Sequence, residues 1–522
     1  MLAGAIKMYA HLPHDVKIVE VPVGYSFNSL INEVAGHQPD VVGISAYIWN
    51  AGMLPGLLQR LRERLPDAVI VMGGPEASYN AGYWLEQGVG HVLAGEAELS
   101  LPTLLDKLEE NRPPVFECHP VFPIDPYPNI GADGSYDGYE LRGKLLYLET
   151  SRGCPFDCAF CLSAGTGVRF FPLDTVKQWL LKLSKSGAGT IKLVDRTFNC
   201  NAERAYELFE YVIGLDTTSC FHFEVAADLF NERALALLRT APPGRIQFEA
   251  GLQSFFGPAL SAASRKMDVI KAESNLRALL RAKNIHIHTD LIAGLPYETL
   301  SDFMNSFDRA YALGGHVLQL GFLKLLHGSR LREQAHLLGI IYSELPPYEI
   351  QSAPWLSARD IIVLKQAENA LQHTYNKGRF LLTLEYVLKT SGYRPFSFYQ
   401  ELGQYAPNNG KDLTVYATQI YEFCAGLPGV ESAELKDRMV YDWLGVVKGK
   451  NKPDILRNND TRLERVSKAA SMQLNRRLQR GEAAVLSSGA GVFVDSSDRD
   501  PVTGLYKVYT LDVIVENPVI LR

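Results

Sequence analysis

The stretch LLYLETSRGCPFDCAFC, residues 145–161, joins an apolar run to three closely spaced thiols. The run Leu145–Glu149 predicts a buried strand, and Cys154, Cys158 and Cys161 fall in the segment after it. Three thiolates at this spacing can hold three irons of a cubane cluster and leave the fourth iron open for a substrate. A zinc site would need a fourth Cys or His nearby, and a disulfide would need an oxidising compartment. The loop therefore predicts an open-site [4Fe–4S] cluster, with zinc and a disulfide as alternatives.

Composition sets the broad class of the protein. The chain has 522 residues and a formal net charge of −6, which predicts about three domains and argues against nucleic acid as a partner. Its seven Cys are too few for a disulfide framework, and its first residues lack the basic start and apolar core of a signal peptide. Apolar runs such as Val317–Leu323 are far shorter than the ~20 residues of a membrane span. We expect a cytoplasmic protein with no membrane partner.

Residues 1–112 alternate short apolar runs with helical patterns, which predicts a doubly wound (Rossmann-like) α/β domain. The predicted strands are Val16–Val21, Val41–Ser45, Ala68–Met72 and His91–Ala94. The helical patterns are Ser26–Ala35, Met53–Leu65 and Leu99–Leu108. Such sheets hold ligands at the carboxyl ends of their strands, where we place Ser45, Gly73, Gly74 and Gly95. An alternative is that these glycines only form tight turns.

A second alternation, over residues 141–345, follows a Pro-rich segment at 113–140 that we interpret as a linker. Its predicted strands are Leu145–Glu149, Thr190–Asp195, Phe221–Ala226, Arg245–Gly251, His286–Ile292 and His316–Leu323. Six βα units predict a partial TIM-like barrel with its chemistry at the strand carboxyl ends. Polar residues lie near those ends, namely Asp195, Glu224, Gln253, Asp290 and Gln319.

Residues 346–522 lose this alternation and predict an α+β accessory domain. Ala358–Thr374 and Leu381–Lys389 have the spacing of amphipathic helices. Tyr506–Val515 has the composition of a strand. Nothing in this part of the sequence indicates a reaction.

The Cys motif, with Phe160 directly before Cys161, resembles the signature of radical S-adenosylmethionine (SAM) enzymes. Glu149–Gly153 and Asp290–Pro296 resemble flanking motifs of the cobalamin-binding branch of that family. The sheet motifs Val42–Ser45, Gly73–Glu76 and Gly95–Glu98 are similar to those of its cobalamin domain. The C-terminal part resembles a poorly characterised domain that follows some members.

The resemblance implies a [4Fe–4S] cluster on Cys154, Cys158 and Cys161 whose open iron binds SAM. Reductive cleavage of SAM would give methionine and a 5′-deoxyadenosyl radical, with the cofactor carrying the difficult chemistry. The resemblance also implies roles for residues at the barrel mouth. Asp195 and Glu224 would approach the amino group or ribose of SAM, Gln253 would line the substrate side, and Ile292–Gly294 would lie against the adenine.

One motif of the cobalamin domain is missing. An Asp-x-His-x-x-Gly motif, which often supplies a cobalt ligand, is absent, and the usual first strand is replaced by a helical pattern over Leu2–Ala10. The start of the domain is then truncated or misassigned, cobalamin binds without histidine, or it no longer binds. The sequence also lacks a second three-Cys group, which argues against an auxiliary cluster and against methylthiolation.

The reaction predicted from these features is cobalamin-dependent methyl transfer to an unactivated carbon, with flavodoxin or ferredoxin as the reducing partner. One alternative is a radical rearrangement, cyclisation or oxidation without cobalamin. Another is a non-catalytic metal-binding or electron-transfer module. The sequence does not identify the substrate.

Overall fold

The computed structural model describes residues 2–22, 24–109, 140–447, 452–457, 461–479, 481–511 and 520–521. The predicted linker, residues 113–140, lies outside the described residues except for Glu140. Among the described residues, no helix is both long and apolar enough to cross a bilayer.

The N-terminal part is a parallel sheet with helices on both faces. Its strands, in spatial order, are β1 (Val41–Ser45), β2 (Val69–Gly73) and β3 (His91–Val92). Its helices are α1 (Leu2–Tyr9), α2 (Phe27–Gly36), α3 (Leu54–Arg64), α4 (Pro75–Tyr79), α5 (Ala81–Glu86) and α6 (Ser100–Glu109). Met72 packs with Leu58 and Trp84 on one face, whereas Val71 packs with Leu104 on the other. Successive strand residues thus bury opposite faces of the sheet.

The predicted strand Val16–Val21 is wrong. This segment is not part of any strand, and Ile18 is 51% exposed. Four of its six residues are valine or isoleucine, which favour strands. A strand also needs a neighbour for its backbone hydrogen bonds, which the pattern cannot specify.

The central part is a six-stranded parallel sheet, as expected for a partial barrel. Its order is β11-β10-β9-β8-β7-β4. The strands are β4 (Leu145–Leu148), β7 (Thr190–Leu193), β8 (Cys220–Val225), β9 (Ile246–Gln253), β10 (Ile285–Ala293) and β11 (Val317–Phe322). The sheet follows chain order with parallel neighbours, which is the connectivity of repeated βα units.

Helices cover the outer face of this sheet. They are α7 (Leu173–Ser184), α8 (Ala202–Gly214), α9 (Glu232–Leu238), α11 (Val269–Ala282) and α12 (Leu300–Tyr311). The short helices α10 (Gly257–Ala262) and α13 (Arg330–Gln334) lie beside the Cys segment, where Ala159 N donates to Ala263 O and Leu331 N donates to Ala159 O. Helix α12 begins with a capping box, in which Thr299 and Asp302 each bind the other's backbone N–H. In β10 the residues Ile285 and Ile287 are buried in the main apolar core, whereas the alternate positions face the barrel lumen.

Two short hairpins accompany the barrel. The first pairs β5 (Ser151–Cys154) with β6 (Gly167–Phe170), and the second pairs β12 (Ile341–Tyr342) with β13 (Ile350–Ser352). The first hairpin was not predicted, because glycine, serine and cysteine in its strands have low β propensity. It flanks the three thiols.

The C-terminal part combines helices with a four-stranded sheet in the order β14-β15-β16-β17. The helices are α14 (Ala358–His373), α15 (Leu381–Ser391), α16 (Pro395–Tyr405), α17 (Leu413–Ala425), α18 (Ser432–Val446) and α19 (Leu463–Gln473). The strands are β14 (Ala483–Val485), β15 (Gly491–Arg499), β16 (Tyr506–Leu511) and β17 (Ile520–Leu521). Of the predicted strand Tyr506–Val515, residues 512–515 lie outside the described residues.

The C-terminal part also covers the free edge of β11. The Asn376 side chain accepts from Leu318 N at 2.9 Å and donates to Leu318 O at 2.9 Å. The two bonds replace those of a neighbouring strand. An exposed parallel edge invites pairing with another chain, and Asn376 prevents that at this position.

Candidate active site

The three-Cys segment begins in the β5–β6 hairpin at the mouth of the barrel. Cys154 N donates to Thr166 Oγ1 at 3.2 Å across this hairpin. Gly153, with φ of +88°, comes so close to the opposite strand that a Cβ on it would lie 1.8 Å from Gly167 O. Only glycine fits there, and its close approach fixes where Cys154 starts the loop.

The thiols have the chemistry of a cluster site. All three are free, with Cys154 and Cys158 buried and Cys161 half-buried. Cys161 N donates to Cys158 O at 3.0 Å, so the backbone makes a tight turn between these two residues. Burial raises the pKa of Cys158, the Arg265 guanidinium lowers it, and the charges of Cys161 and Cys154 raise it further.

Across the described residues, no three His, Cys, Asp or Glu side chains converge closely enough to bind a single metal ion. A cubane cluster does not require such convergence, because each thiolate binds a different iron. The donor set of three free thiols on one loop fits this cofactor.

Arg265 brings a positive charge to the thiols. Its Nη1 lies 3.8 Å from Cys158 Sγ, its Nη2 donates to Gly251 O at 2.8 Å, and its guanidinium stacks over Phe156. Sequence reasoning missed this residue. A cation beside a thiolate stabilises the ionised sulfur that a metal requires.

Asp195 ties the second strand of the barrel to the start of the Cys segment. Its carboxylate accepts from Thr150 N at 3.2 Å, from Thr150 Oγ1 at 2.8 Å and from the Ser151 hydroxyl. The side chain is only 1% exposed, and burial raises its pKa. The structure therefore gives Asp195 a structural role at the cluster loop. Its predicted contact with SAM stays a prediction.

The other predicted residues of the barrel mouth occupy successive strand ends. Glu224 Oε1 lies 3.4 Å from Lys192 Nζ. Gln253 ends β9 with φ of +67°, a conformation that non-glycine residues rarely adopt outside functional or strained sites. Ile292 faces the lumen side of β10, whereas Gly294 packs against Ile350, whose Cδ1 would lie 2.9 Å from a Cβ on the glycine. This packing gives Gly294 a reason to be glycine that involves no ligand.

Glu298 joins two loops of the mouth and was also missed. Its carboxylate accepts from Ser254 Oγ at 2.5 Å and from Ser306 Oγ at 3.2 Å. Burial raises its pKa to about 7. The sequence feature that could have identified Glu298 is its position, a carboxylate in the loop directly after Gly294.

The predicted cobalamin residues come together at the carboxyl edge of the N-terminal sheet. Ala46 N, next to Ser45, donates to Gly73 O at 2.7 Å. Gly74 has φ of +93°, and a Cβ there would lie 2.6 Å from Ala46 O. Gly95 N donates to Ser78 Oγ at 3.0 Å. The glycines thus allow three strand ends to pack closely, and the edge they form is where such sheets bind ligands.

An aromatic pair with one exposed ring lies beside this edge and was not singled out from the sequence. Trp49 is 63% exposed and stacks on Tyr47 with ring centres 4.3 Å apart. The Asn50 side chain fixes the loop through Tyr47 N and Ser45 O. A cavity of about 760 Å³ adjoins Trp49 and extends to Pro346 and Pro347. Flat aromatic surface at an open strand edge fits a large planar cofactor such as cobalamin.

No histidine ligand was predicted for this edge. His14 Nε2 lies 3.2 Å from Asp106 Oδ1, and His11 N donates to Asp106 Oδ2 at 2.8 Å. Both residues are therefore held on α6. The edge fits cobalamin through its glycines and aromatic rings.

An ion cluster joins the two candidate sites. Arg152, two residues before Cys154, lies 3.1 Å from Glu96 and 2.8 Å from Glu149, and it also pairs with Glu98. Arg169, on the opposite strand of the hairpin, also pairs with Glu96. Arg152 and Glu98 are both buried, so the loss of either side chain would leave the charge of the other without this partner away from water.

The fold and the site together define a class of protein: a parallel sheet with an open carboxyl edge, followed by a partial barrel with a three-Cys loop at its mouth. Three family models match the chain. They are described as B12 binding domain over residues 1–105, Radical SAM superfamily over 148–310, and protein of unknown function (DUF4080) over 336–485. The chain thus carries a B12-binding domain, a radical SAM domain and a DUF4080 domain, which confirms the resemblance and the fold class predicted from the sequence.

Among its relatives is TokK of Streptomyces tokunonensis, a cobalamin-dependent radical SAM methyltransferase, which is 26% identical over 62% of this chain and 53% of its own. The 2-(S-pantetheinyl)-carbapenam-3-carboxylate methyltransferase of Streptantibioticus cattleyicolor is 25% identical over 60% of this chain and 52% of its own. The chain thus spans about half the length of these curated relatives. The solved structure of OxsB, a cobalamin-dependent SAM radical enzyme, matches 91% of this chain and 77% of its own at 13% identity, with a TM-score of 0.54. At that identity the match shows the fold alone.

Proposed function

We propose that the protein is a cobalamin-dependent radical SAM methyltransferase that methylates an unactivated carbon. The observation that carries this proposal is the Arg152 ion cluster, which holds the three-Cys loop against the carboxyl edge of the B12-binding domain. Methyl transfer that uses two cofactors requires the cluster site and the cobalamin site to face the same cavity. The Arg152 ion cluster would hold these two sites at a fixed distance from each other.

The chain's own residues would hold the cofactors as follows. Cys154, Cys158 and Cys161 would bind the cluster, and the edge formed by Ser45, Gly73, Gly74 and Gly95 would receive cobalamin beside Trp49. Asp195, Glu224, Gln253, Ile292 and Gly294 would orient SAM and the substrate. When bound, the cluster and SAM supply radical chemistry and cobalamin supplies a methyl carrier. The protein fixes their positions and excludes water from the mouth.

The proposal includes a location and an electron donor. Reduction of the cluster needs an outside donor, for which we propose a flavodoxin or a ferredoxin in the cytoplasm. Arg265 stands beside Cys158 and would favour acceptance of that electron by partly balancing the negative charge on the thiolates.

A second candidate keeps the radical chemistry and omits methyl transfer. The absence of the Asp-x-His-x-x-Gly motif favours it. The reaction would then be a rearrangement, cyclisation or oxidation of the substrate, and the N-terminal sheet would serve only as a cover for the barrel mouth.

Anaerobic reconstitution with iron and sulfide tests the shared part of both candidates. We expect about four irons per chain and reductive cleavage of SAM. Cys158→Ala should lose cleavage, whereas Cys220→Ala, a matched loss of a thiol on β8, should keep it. Cleavage that survives Cys158→Ala would refute the proposal, and zinc without sulfide would favour a non-catalytic metal module.

Cobalamin uptake separates the two candidates. The parent protein, purified anaerobically with hydroxocobalamin, should retain about one cobalamin per chain under the first candidate. A protein that cleaves SAM and retains no cobalamin would favour the second.

A further inference from the structure

The hairpin of β12 and β13 reaches from the C-terminal part of the chain to the B12-binding domain. It lies within residues 336–485, the range that matches the domain of unknown function. Tyr348, in the turn between its two strands, donates from its hydroxyl to Glu76 Oε1 at 2.6 Å. Glu76 belongs to the motif Gly73–Glu76 at the carboxyl edge of the N-terminal sheet. The domain of unknown function is thus bonded directly to the predicted cobalamin edge.

This hydrogen bond is buried and joins a phenol to a carboxylate. Both side chains are buried, and burial together with the bond to Glu76 raises the pKa of Tyr348, so the phenol keeps its proton and acts as the donor. Asn80 Nδ2 donates to the same carboxylate oxygen at a longer distance of 3.4 Å. Hydrogen bonds to charged acceptors are the strong ones, and a buried carboxylate that loses a donor is left poorly satisfied. The Tyr348 hydroxyl is therefore a major support of Glu76.

The hairpin and the loop before it contact helix α4 at both of its ends. Tyr348 holds Glu76 in the first turn of α4. At the other end, Tyr79 packs against Gly328, where a Cβ would lie 2.2 Å from Tyr79 Cδ1. Helix α4 begins directly after Gly74, one of the glycines of the carboxyl edge. The position of α4 therefore affects the strand ends at which we expect cobalamin.

Tyr348 is itself fixed by residues that follow the barrel. The Arg332 guanidinium lies over its ring, 4.9 Å from the ring centre, and the His327 ring meets it at 88° with centres 4.9 Å apart. The backbone oxygen of Tyr348 accepts from Leu325 N at 2.9 Å. Its φ is +56°, a conformation that non-glycine residues rarely adopt outside functional or strained sites. These contacts hold the ring in the orientation that reaches Glu76.

The segment that fixes Tyr348 also contacts the three-Cys segment. Leu331 N, in the same helix α13 as Arg332, donates at 2.9 Å to Ala159 O, which lies between two of the cysteines. Contacts thus run from the Cys segment through α13 and Tyr348 to Glu76. This series shares no residue with the Arg152 ion cluster, so the two candidate sites are joined twice.

The tip of the hairpin also takes part in the cavity at the cobalamin edge. Pro346 and Pro347, directly before Tyr348 in the chain, line the cavity of about 760 Å³ beside Trp49. A hairpin that shifts after loss of the bond to Glu76 would change the shape of that cavity.

We propose that Tyr348 is a positioning residue for methyl transfer, which sets the distance between the cobalamin edge and the cluster through its bond to Glu76. The hairpin of the domain of unknown function is then a part of the two-cofactor site. This assignment rests on the proposed function, because it gives Tyr348 a role in the geometry of that reaction. Misplacement of reacting groups by about 1 Å is enough to slow a reaction strongly, so the joint between the two sites must be exact.

EPR spectroscopy of the protein loaded with the cluster and cobalamin under anaerobic conditions tests the proposal. Cob(II)alamin and the reduced cluster each carry a net electron spin, and the dipolar splitting between them falls with the cube of their separation. Tyr348→Phe keeps the ring contacts to Arg332 and His327 and removes the bond to Glu76. We expect this variant to load both cofactors as the parent does and to show a smaller, more broadly distributed splitting.

Amide hydrogen exchange measures the same joint without the cofactors. In Tyr348→Phe the exchange of helix α4 should become about tenfold faster, because a buried carboxylate in that helix loses a donor. Glu76→Ala removes the acceptor and should reproduce both effects. The double variant should be no worse than Glu76→Ala alone, because the two side chains act through one bond.

Tyr342→Phe is the matched control. Tyr342 lies in the same hairpin and under the same Arg332 guanidinium, which is 5.1 Å from its ring centre. Within the described part of the chain its hydroxyl makes no hydrogen bond, so its removal should leave the splitting and the exchange of α4 unchanged.

The proposal fails if Tyr348→Phe leaves the splitting as it is in the parent, or if Tyr342→Phe reduces the splitting equally. Faster exchange of α4 with an unchanged splitting also refutes it, since Tyr348 would then only stabilise the fold. Failure of the proposed function gives a different result. A parent protein that binds no cobalamin, or whose two spins do not interact, refutes the proposed methyl transfer and the role of Tyr348 with it. A normal parent beside an unaltered Tyr348→Phe refutes only the role of Tyr348.

Discussion

Gly153→Ala should prevent the cluster loop from forming, although it adds a single methyl group. The added Cβ would lie 1.8 Å from Gly167 O, whereas contacts below 3.0 Å essentially never occur. The two backbones of the β5–β6 hairpin must therefore separate by about 1.2 Å, the difference between those distances. Cys154 is the next residue and moves with its neighbour.

The expected cost has two parts. A non-glycine residue at positive φ costs about 1–2 kcal/mol. Forcing extra volume into a packed contact costs roughly 1–3 kcal/mol more. Displacement of Cys154 matters more than either cost, because metal–ligand distances tolerate only about 0.2 Å. We therefore expect the variant to remain folded and to lose most of its iron.

Gly167→Ala is the matched control, because it lies across the same hairpin and also has positive φ, at +66°. A Cβ there would meet nothing within 4 Å, so the variant bears only the backbone cost. Iron content after anaerobic reconstitution, SAM cleavage and the thermal unfolding midpoint are measured for both variants. Gly167→Ala should keep at least half of the parent's iron. If Gly153→Ala loads as much iron as Gly167→Ala, the hairpin contact does not position Cys154 and the reasoning is refuted.

Two further predictions concern charges near the cluster and in the lumen. Arg265→Gln should lower the reduction potential of the cluster in an EPR-monitored redox titration, because a cation next to Cys158 is lost, and Arg265→Lys should restore part of it. An unchanged potential would show that Arg265 does not act on the cluster. For Asp290, burial and the charges of Glu249 and Glu224 raise the pKa to about 8 against the opposing charge of Lys192. The folded protein then holds a proton that the unfolded chain releases, so stability falls as pH rises from about 4 to 8. Asp290→Asn should remove that fall in the thermal unfolding midpoint, and parallel curves for variant and parent would contradict it.

Much of the fold could be predicted from the sequence because it depends on local patterns. The six barrel strands are short apolar runs between amphipathic helices, and their parallel pairing follows from that alternation. The segment Val16–Val21 shows the limit of the method. Its valine and isoleucine content is typical of a strand, and nothing within the segment shows that a pairing partner is missing.

The lumen was only partly predictable. The strand His286–Ile292 was predicted from the sequence, and the period of a strand places His286, His288 and Asp290 on one face of it, as in β10. Their environment depends on Lys192 and Glu249 from other strands. It also depends on Val502, whose carbonyl oxygen contacts the His286 ring although it lies more than 200 residues away along the chain. Register between strands decides which charges meet, and a single strand does not contain that information.

The cluster loop and the cobalamin edge were identified as separate motifs, yet the structure makes them one unit. In the sequence, Glu149–Gly153 is a motif that flanks the three Cys, and Gly95–Glu98 is a separate motif of the N-terminal sheet. Arg152 of the first motif pairs with Glu96 and Glu98 of the second. Because Arg152 is buried, removal of either partner would leave a buried charge without its full set of partners. Opposite charges in the two motifs were visible in the sequence, but their meeting depends on how the two domains pack. A residue that serves the cluster loop and the B12-binding domain at once restrains the distance between the two cofactor sites, and that restraint is what a methyl transfer between them requires.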